Sequence, residues 1–204
     1  MKSKPRISLL LLALTMTGIA TYACATKSYI DVNYRLPAAT ADLQGQRLFL
    51  DSKDLRSAKT IFGDKAQAEF KNFTGIFSLS LSQGKHNVVI GAFDLPSLFK
   101  EAFIKRLENL GIEIIPEPEK TTPALEIAIQ EFQLDLAGGK WIANIRYEAR
   151  LLKDGQTLFK ETMSGNAERF KVFSQKDAEK VLGEIFTDIV NQLNIRKLLE
   201  QAAG

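Results

Sequence analysis

Soft metal ligands are nearly missing from this chain: its 204 residues include one cysteine and one histidine, Cys24 and His86. A lone cysteine closes no internal disulfide, and one Cys with one His cannot supply the four ligands of a zinc site. No metal and no cofactor is therefore expected. A charge of one sign is missing too. The 27 bases exceed the 24 acids only through Lys2, Lys4 and Arg6, and no acid precedes Asp31. Beyond those three residues the charges balance, so no basic stripe for nucleic acid is expected. Long apolar runs are also lacking. The stretch 7–16 falls short of the roughly 20 apolar residues that span a bilayer, and Thr15, Thr17 and Gly18 interrupt its end. What remains, at 45% apolar and 25% charged residues, is the composition of a globular chain. It is long enough to bury about 70% of its unfolded surface in one domain.

The amino end has the three parts of a secretory signal over residues 1–23: a basic start, a short apolar stretch, and small residues before Cys24. Thr21-Tyr22-Ala23-Cys24 resembles the lipobox of bacterial lipoproteins, in which the cysteine is lipidated and becomes the new amino terminus. Thr21 and Tyr22 depart from the Leu and small residue usual there. Cleavage after Ala23 or Ala25 without lipidation, or retention of the segment as an anchor, are the alternatives. Lipidation attaches a domain without threading it through the bilayer. Residues 24–42, with Pro37 and several small or polar residues, read as a lipidated tether, and residues 43–204 as one domain. Ala25 stands where Asp commonly holds a lipoprotein at the inner membrane, so the resemblance implies the outer membrane, facing the periplasm.

Apolar and polar residues alternate in short runs over most of the domain. Residues 46–50 and 73–81 read as strands, 87–90 as another, and 52–70 as loop with at most a short helix. Asp94, Pro96 and Gly111 punctuate a helix whose buried stripe runs from Leu95 through Phe99 and Phe103 to Leu110. A strand at 112–115 ends at Pro116. Leu125, Ile127 and Ile129 are odd-numbered whereas Phe132, Leu134 and Leu136 are even-numbered, which predicts a bulge near Gln130 or Glu131. Residues 141–151 alternate most clearly. Gly138-Gly139 and Asp154-Gly155 supply the turns on either side, and 156–169 returns as a third strand interrupted at Gly165. Ser174 and Asp177 resemble a capping box before the stripe Ala178, Val181, Leu182, Ile185, Phe186, Ile189 and Leu193. The expected fold is α+β: a mostly antiparallel sheet with a C-terminal three-strand meander and two amphipathic helices on one face.

Residues 95–115, the strand, Gly-Gly turn and Trp-x-Ala-x-Ile-x-Tyr-x-Ala pattern of 124–149, and 170–199 together resemble the YajG-like family of bacterial lipoproteins. So do the early cysteine and Ile30-Asp31-Val32 behind it. More distantly, the order of elements is similar to that of the auxiliary lipoproteins of ABC-type transport systems. The first resemblance implies an envelope lipoprotein, and the second a lipid-handling one.

No catalytic constellation is legible, so an enzyme is not expected. His86 lies in a polar turn without a Ser or Cys partner, Asp51 and Asp54 flank Lys53 as in a turn or cap, and Glu117 and Glu119 are separated by Pro118. Binding is the expectation instead, with a membrane contact through the anchor and a further partner in the envelope. One candidate surface is the wet side of the clearest strand, Asn144, Arg146, Glu148 and Arg150, docking an envelope protein. The other is an apolar groove between helix and sheet for a lipid, lined by Phe93, Phe99, Phe103 and Trp141. Core packing is the plainer account of those four aromatics.

Overall fold

The computed structural model describes residues 27–83, 86–173 and 175–203. Its elements are β1 (Tyr29–Arg35), β2 (Arg47–Asp54), α1 (Asp64–Glu69), β3 (Ile76–Gln83), β4 (His86–Phe93), α2 (Leu95–Asn109), β5 (Glu113–Ile115), β6 (Ala124–Ala137), β7 (Lys140–Lys153), β8 (Gln156–Phe170), α3 (Gln175–Gln192) and α4 (Ile195–Ala203). The signal segment, Cys24, the turn residue Gly84 between the strands read at 73–81 and 87–90, and the capping-box Ser174 lie outside the described residues.

The fold is α+β. The C-terminal meander β6-β7-β8 is antiparallel, and β2 joins its edge in parallel with β5 outside it, giving the order β5-β2-β6-β7-β8. Both hairpins turn through paired left-handed residues, Gly138 and Gly139 at φ +57° and +74°, and Asp154 and Gly155 at +52° and +76°. Such turns match the right-handed twist of the strands they join. The β6–β7 register skips one residue between Ile129 and Glu131. That bulge returns Phe132 and Leu134 to the buried face occupied by Leu125, Ile127 and Ile129.

Helices α2 and α3 cover this one face. The Asp94 carboxylate accepts the amide of Ser97 at 2.9 Å and opens α2. Phe99 and Phe103 meet the Tyr147 ring edge-on at 5.9 and 5.6 Å, and Phe99 meets Phe186 of α3 at 5.1 Å. The α3 C-terminus would leave buried carbonyls without partners. The Tyr147 hydroxyl donates to Ile189 O at 2.8 Å, and the buried Arg106 guanidinium of α2 donates to the carbonyls of Val190, Asn191 and Leu193.

Four features differ from the sequence reading. Residues 29–35, expected within the tether, form β1, which pairs in parallel with β3. Ile30, Val32 and Tyr34 are fully buried there, and the Tyr34 hydroxyl donates to Asn191 Oδ1 at 2.7 Å. The interleaved Asp31 and Asn33 hide this strand from local propensity, and its partners lie far along the chain. A second sheet, β1-β3-β4, therefore stands beside the first and brings Phe77 against Phe132 at 5.4 Å. Strand β8 is continuous through Gly165. A Cβ on Gly165 would stand 2.4 Å from Ile185 Cδ1, so the glycine lets α3 approach the sheet closely. Finally β3 begins at Ile76, which leaves Phe73 outside it. Among the described residues, no helix is long and apolar enough to cross a membrane.

Candidate functional site

The segment after β2 builds a concavity lined largely by phenylalanine rings. Its anchor is a single parallel bridge: Leu134 N donates to Ile61 O at 2.7 Å, and Gly63 N to Leu134 O at 3.1 Å. A Cβ at Gly63 would come 2.2 Å from Asp135 Oδ1, so any larger residue there must displace that carboxylate. Held at that point, the chain turns through α1 and brings Phe62, Phe70 and Phe73 together. Phe62 stacks on Phe70 at 4.9 Å and takes Phe73 edge-on at 5.2 Å, and Phe73 meets Phe77 of β3 at 5.4 Å. With Ile61 and Leu95 these rings line a cavity of about 650 Å³ that is open to solvent. This volume lies within the range of ordinary small-molecule sites.

The rim of the cavity is cationic. Arg56, Lys59 and Lys71 line it against one acid, Asp64. The Asp54 carboxylate accepts from Arg56 Nε and Nη2, each at 3.0 Å, and Arg56 also donates to Lys59 O and Phe132 O. The guanidinium beside Asp54 holds its carboxyl down at about 2, against an ordinary 3.8. Lys59 also pairs with Asp54 at 3.4 Å, and Lys71 is exposed. An apolar interior under a basic rim suits a ligand with a hydrocarbon body and a polar or anionic end.

The four aromatics expected to line a lipid groove do not line this cavity. Phe99, Phe103 and Trp141 are fully buried in the main core, and Phe93 is half-buried against it. The spacing of Phe99, Phe103 and Trp141 marks the inner stripe of α2 and the inner face of β7, where packing consumes them, and Phe93 ends β4. The rings that do line the cavity lie outside any sustained period. The available signal was density, since Phe62, Phe70, Phe73 and Phe77 put four of 13 phenylalanines into a short, mostly polar stretch.

Asn144, Arg146, Glu148 and Arg150 do share the outer face of β7, but neighbouring strands already engage them. Glu148 accepts from Arg150 Nε at 2.5 Å and pairs with Lys160 at 2.7 Å; Arg150 reaches Glu126, which also holds Lys53. Hydrogen bonds from Lys160, then from Arg150, hold the Glu148 carboxyl below its ordinary value. Arg146 pairs with Glu131, and Asn166 donates to Asn144. His86 is exposed at the start of β4, and Glu119 accepts from Arg47 and Thr122. Among the described residues no three His, Cys, Asp or Glu side chains stand close enough to hold a metal ion.

No family model matches the chain, and no curated protein matches it. Among solved structures, protein XCC0632 from Xanthomonas campestris, of the family model DUF330, matches with a TM-score of 0.52 at 15% identity, over 80% of this chain and 90% of that one. The hypothetical protein CT253 from Chlamydia trachomatis matches at 0.43 and 10% identity, over 79% and 99% of the two chains. A minor lipoprotein from Acinetobacter baumannii matches at 0.36 and 12% identity, over 72% and 86%. The likeness to XCC0632 is one of fold.

Proposed function

We propose that the chain is a non-enzymatic lipoprotein of the bacterial cell envelope, held at the periplasmic side of the outer membrane through lipidated Cys24, and that its phenylalanine-lined cavity binds the apolar part of an envelope component. The anchor reading is supported by the basic start, short apolar stretch and Ala23-Cys24 junction of the amino end. The observation that carries the binding reading is the cavity of about 650 Å³ with its apolar floor and cationic rim. Within this reading the assignment to the YajG-like family rests on the resemblance in sequence. The cavity favours the lipid-handling role of an ABC-type transport auxiliary over docking through the outer face of β7, where the charged side chains already satisfy one another.

Two experiments test the proposal. Protein purified from envelopes in mild detergent should carry a lipid adduct in native mass spectrometry and should bind a fluorescent fatty-acid probe saturably. Ala68 is exposed on α1 and lines the cavity, so Ala68→Trp should fill the space without disturbing the core and abolish probe binding. Unchanged probe binding by Ala68→Trp, or no saturable binding by the wild type, overturns the cavity reading. The Cys24→Ala variant should leave the membrane fraction, and its retention there would refute the anchor.

A further inference from the structure

Three of the most exposed large apolar residues described are neighbours in the chain. Phe170, Val172 and Phe173 are 67%, 70% and 72% exposed, at the end of β8 and in the segment leading to α3. A soluble surface rarely groups such residues without a partner. What gives this patch its occupant is its place in the fold. The Asp177 carboxylate accepts the amides of Val172, at 2.7 Å, and Phe173. One helical turn covers Asp177 and Glu179, and Glu179 accepts from Lys27 Nζ at 2.8 Å and from Asp31 N at 3.0 Å. The patch and the first described residue of the chain are thus held by the same turn of α3. Covalent geometry alone keeps the Cys24 Cα within about 11 Å of the Lys27 Cα.

We propose that Phe170, Val172 and Phe173 insert into the lipid surface to which the chain is anchored and so fix the orientation of the domain on it. The proposal rests on the anchored reading above. The backbone of this segment is suited to a medium without water. Lys171 N donates to Gly139 O at 2.9 Å, and Asp177 takes the next two amides, so the apolar side chains project from a backbone whose donors are satisfied. Tyr29, half exposed beside Lys27, adds an amphipathic ring at the same end. The cavity lies at this end as well: Thr74 N donates to Ser28 O at 3.0 Å, and Gln175 and Lys171 both hold Glu69 of α1. Insertion therefore brings the basic rim to the level of the lipid headgroups, where an acyl chain would enter.

The test uses full-length lipidated protein reconstituted into vesicles of phosphatidylethanolamine and phosphatidylglycerol. Lipidation occupies the Cys24 sulfur, the only thiol of the chain. The Phe173→Cys variant therefore offers one site for an environment-sensitive fluorophore. Leu158→Cys offers a control about 40 Å away along β8. The label at 173 should shift to the blue and resist an aqueous quencher, while the label at 158 does neither. The Phe170→Ser/Val172→Ser/Phe173→Ser variant should lose protection of a label at Tyr29→Cys and fatty-acid delivery from vesicles by roughly tenfold. A label at 173 quenched as freely as one at 158 overturns the insertion, while protein that still floats with the vesicles leaves the anchor standing. An amino-terminal peptide of unmodified mass refutes the anchor, and if the label at 173 is nonetheless protected, the insertion stands without it.

Discussion

Replacing Arg106 with methionine tests how the two helices are locked together. The guanidinium is buried and pairs with no carboxylate among the described residues; its partners are the carbonyls of Val190, Asn191 and Leu193 at the C-terminal end of α3. A buried carbonyl left without a donor costs about 1–3 kcal/mol. Loss of the cation from a helix C-terminus removes up to about 1 kcal/mol more. Methionine returns part of this by packing its chain along the stem's path and by relieving the guanidinium of its desolvation. Asn191 is itself only half-buried, which lowers the cost at that carbonyl. The net expectation is a loss of about 3 kcal/mol, which for a domain of this size lowers the melting temperature by roughly 6–12 °C. Arg106→Lys keeps the charge but cannot span three carbonyls, so about half that loss is expected. Urea unfolding followed through Trp141, the sole tryptophan and fully buried, measures both variants. A methionine variant within about 1 kcal/mol of wild type, or a lysine variant as damaged as the methionine one, would refute the reasoning.

Asp54 titrates at about 2 when folded against an ordinary 3.8, so its contribution is complete above pH 4 and drains away as the pH falls through 2. That contribution is about 1–2 kcal/mol after allowance for partial exposure. Asp54→Asn should remove it at pH 7 and flatten the acid side of the stability profile, as read by urea midpoints at pH 7 and 2.5. Gly183→Ala should destabilise by about 1–2 kcal/mol even though alanine is the better helix former. Its Cβ would stand 2.9 Å from Asn33 O of β1, and a rise in melting temperature would show that the helix can shift. Glu148→Gln should cost about 1 kcal/mol or less, with the difference shrinking in 1 M salt; a salt-independent loss would contradict the ion-pair account of the outer sheet face.

Where a local rule and the tertiary fold agree, the sequence is readable. Asp94, Pro96 and Gly111 bound α2 because a cap, a fixed φ and a left-handed residue are demanded by the helix ends themselves. The odd-to-even slip in β6 is likewise forced, since only a bulge keeps Ile129 and Phe132 on one face. Strand β1 was hidden because Asp31 and Asn33 are poor strand formers, and what holds it is β3 and α3, both far along the chain. The cavity was hidden for a related reason. Phe62 and Phe73 lie in a segment pinned at points far along the chain, to Leu134 and to Ser28, and no local period announces such long-range ties. Phe99, Phe103 and Trp141 are legible as core from their spacing alone; the same spacing says nothing of Phe170, Val172 and Phe173, which lie at a strand end where apolar character does not separate burial from exposure.

On the anchored reading, β1 changes what a lipid at Cys24 would do mechanically. A flexible tether over 24–42 would have an r.m.s. reach of about 24 Å, enough for the domain to tumble above the bilayer. Ordered structure at Tyr29 leaves only residues 25–28 between the anchor and the sheet, a reach of about 11 Å. The volume explored falls roughly tenfold, and the local concentration of neighbouring side chains at the lipid surface rises accordingly. Lys27, Ser28 and Asp31 are tied to Glu179 and Thr74, so this short connection leads straight into the walls of the cavity and the turn that carries Val172 and Phe173. On the anchored reading, a weakly inserting loop needs little affinity of its own, because the anchor has already confined it to the surface it enters. Inserting four flexible Gly-Ser pairs after Ser28 should therefore weaken loop protection while leaving the protein in the membrane fraction. Equal protection with the long linker would mean that the loop holds its position without help from the anchor.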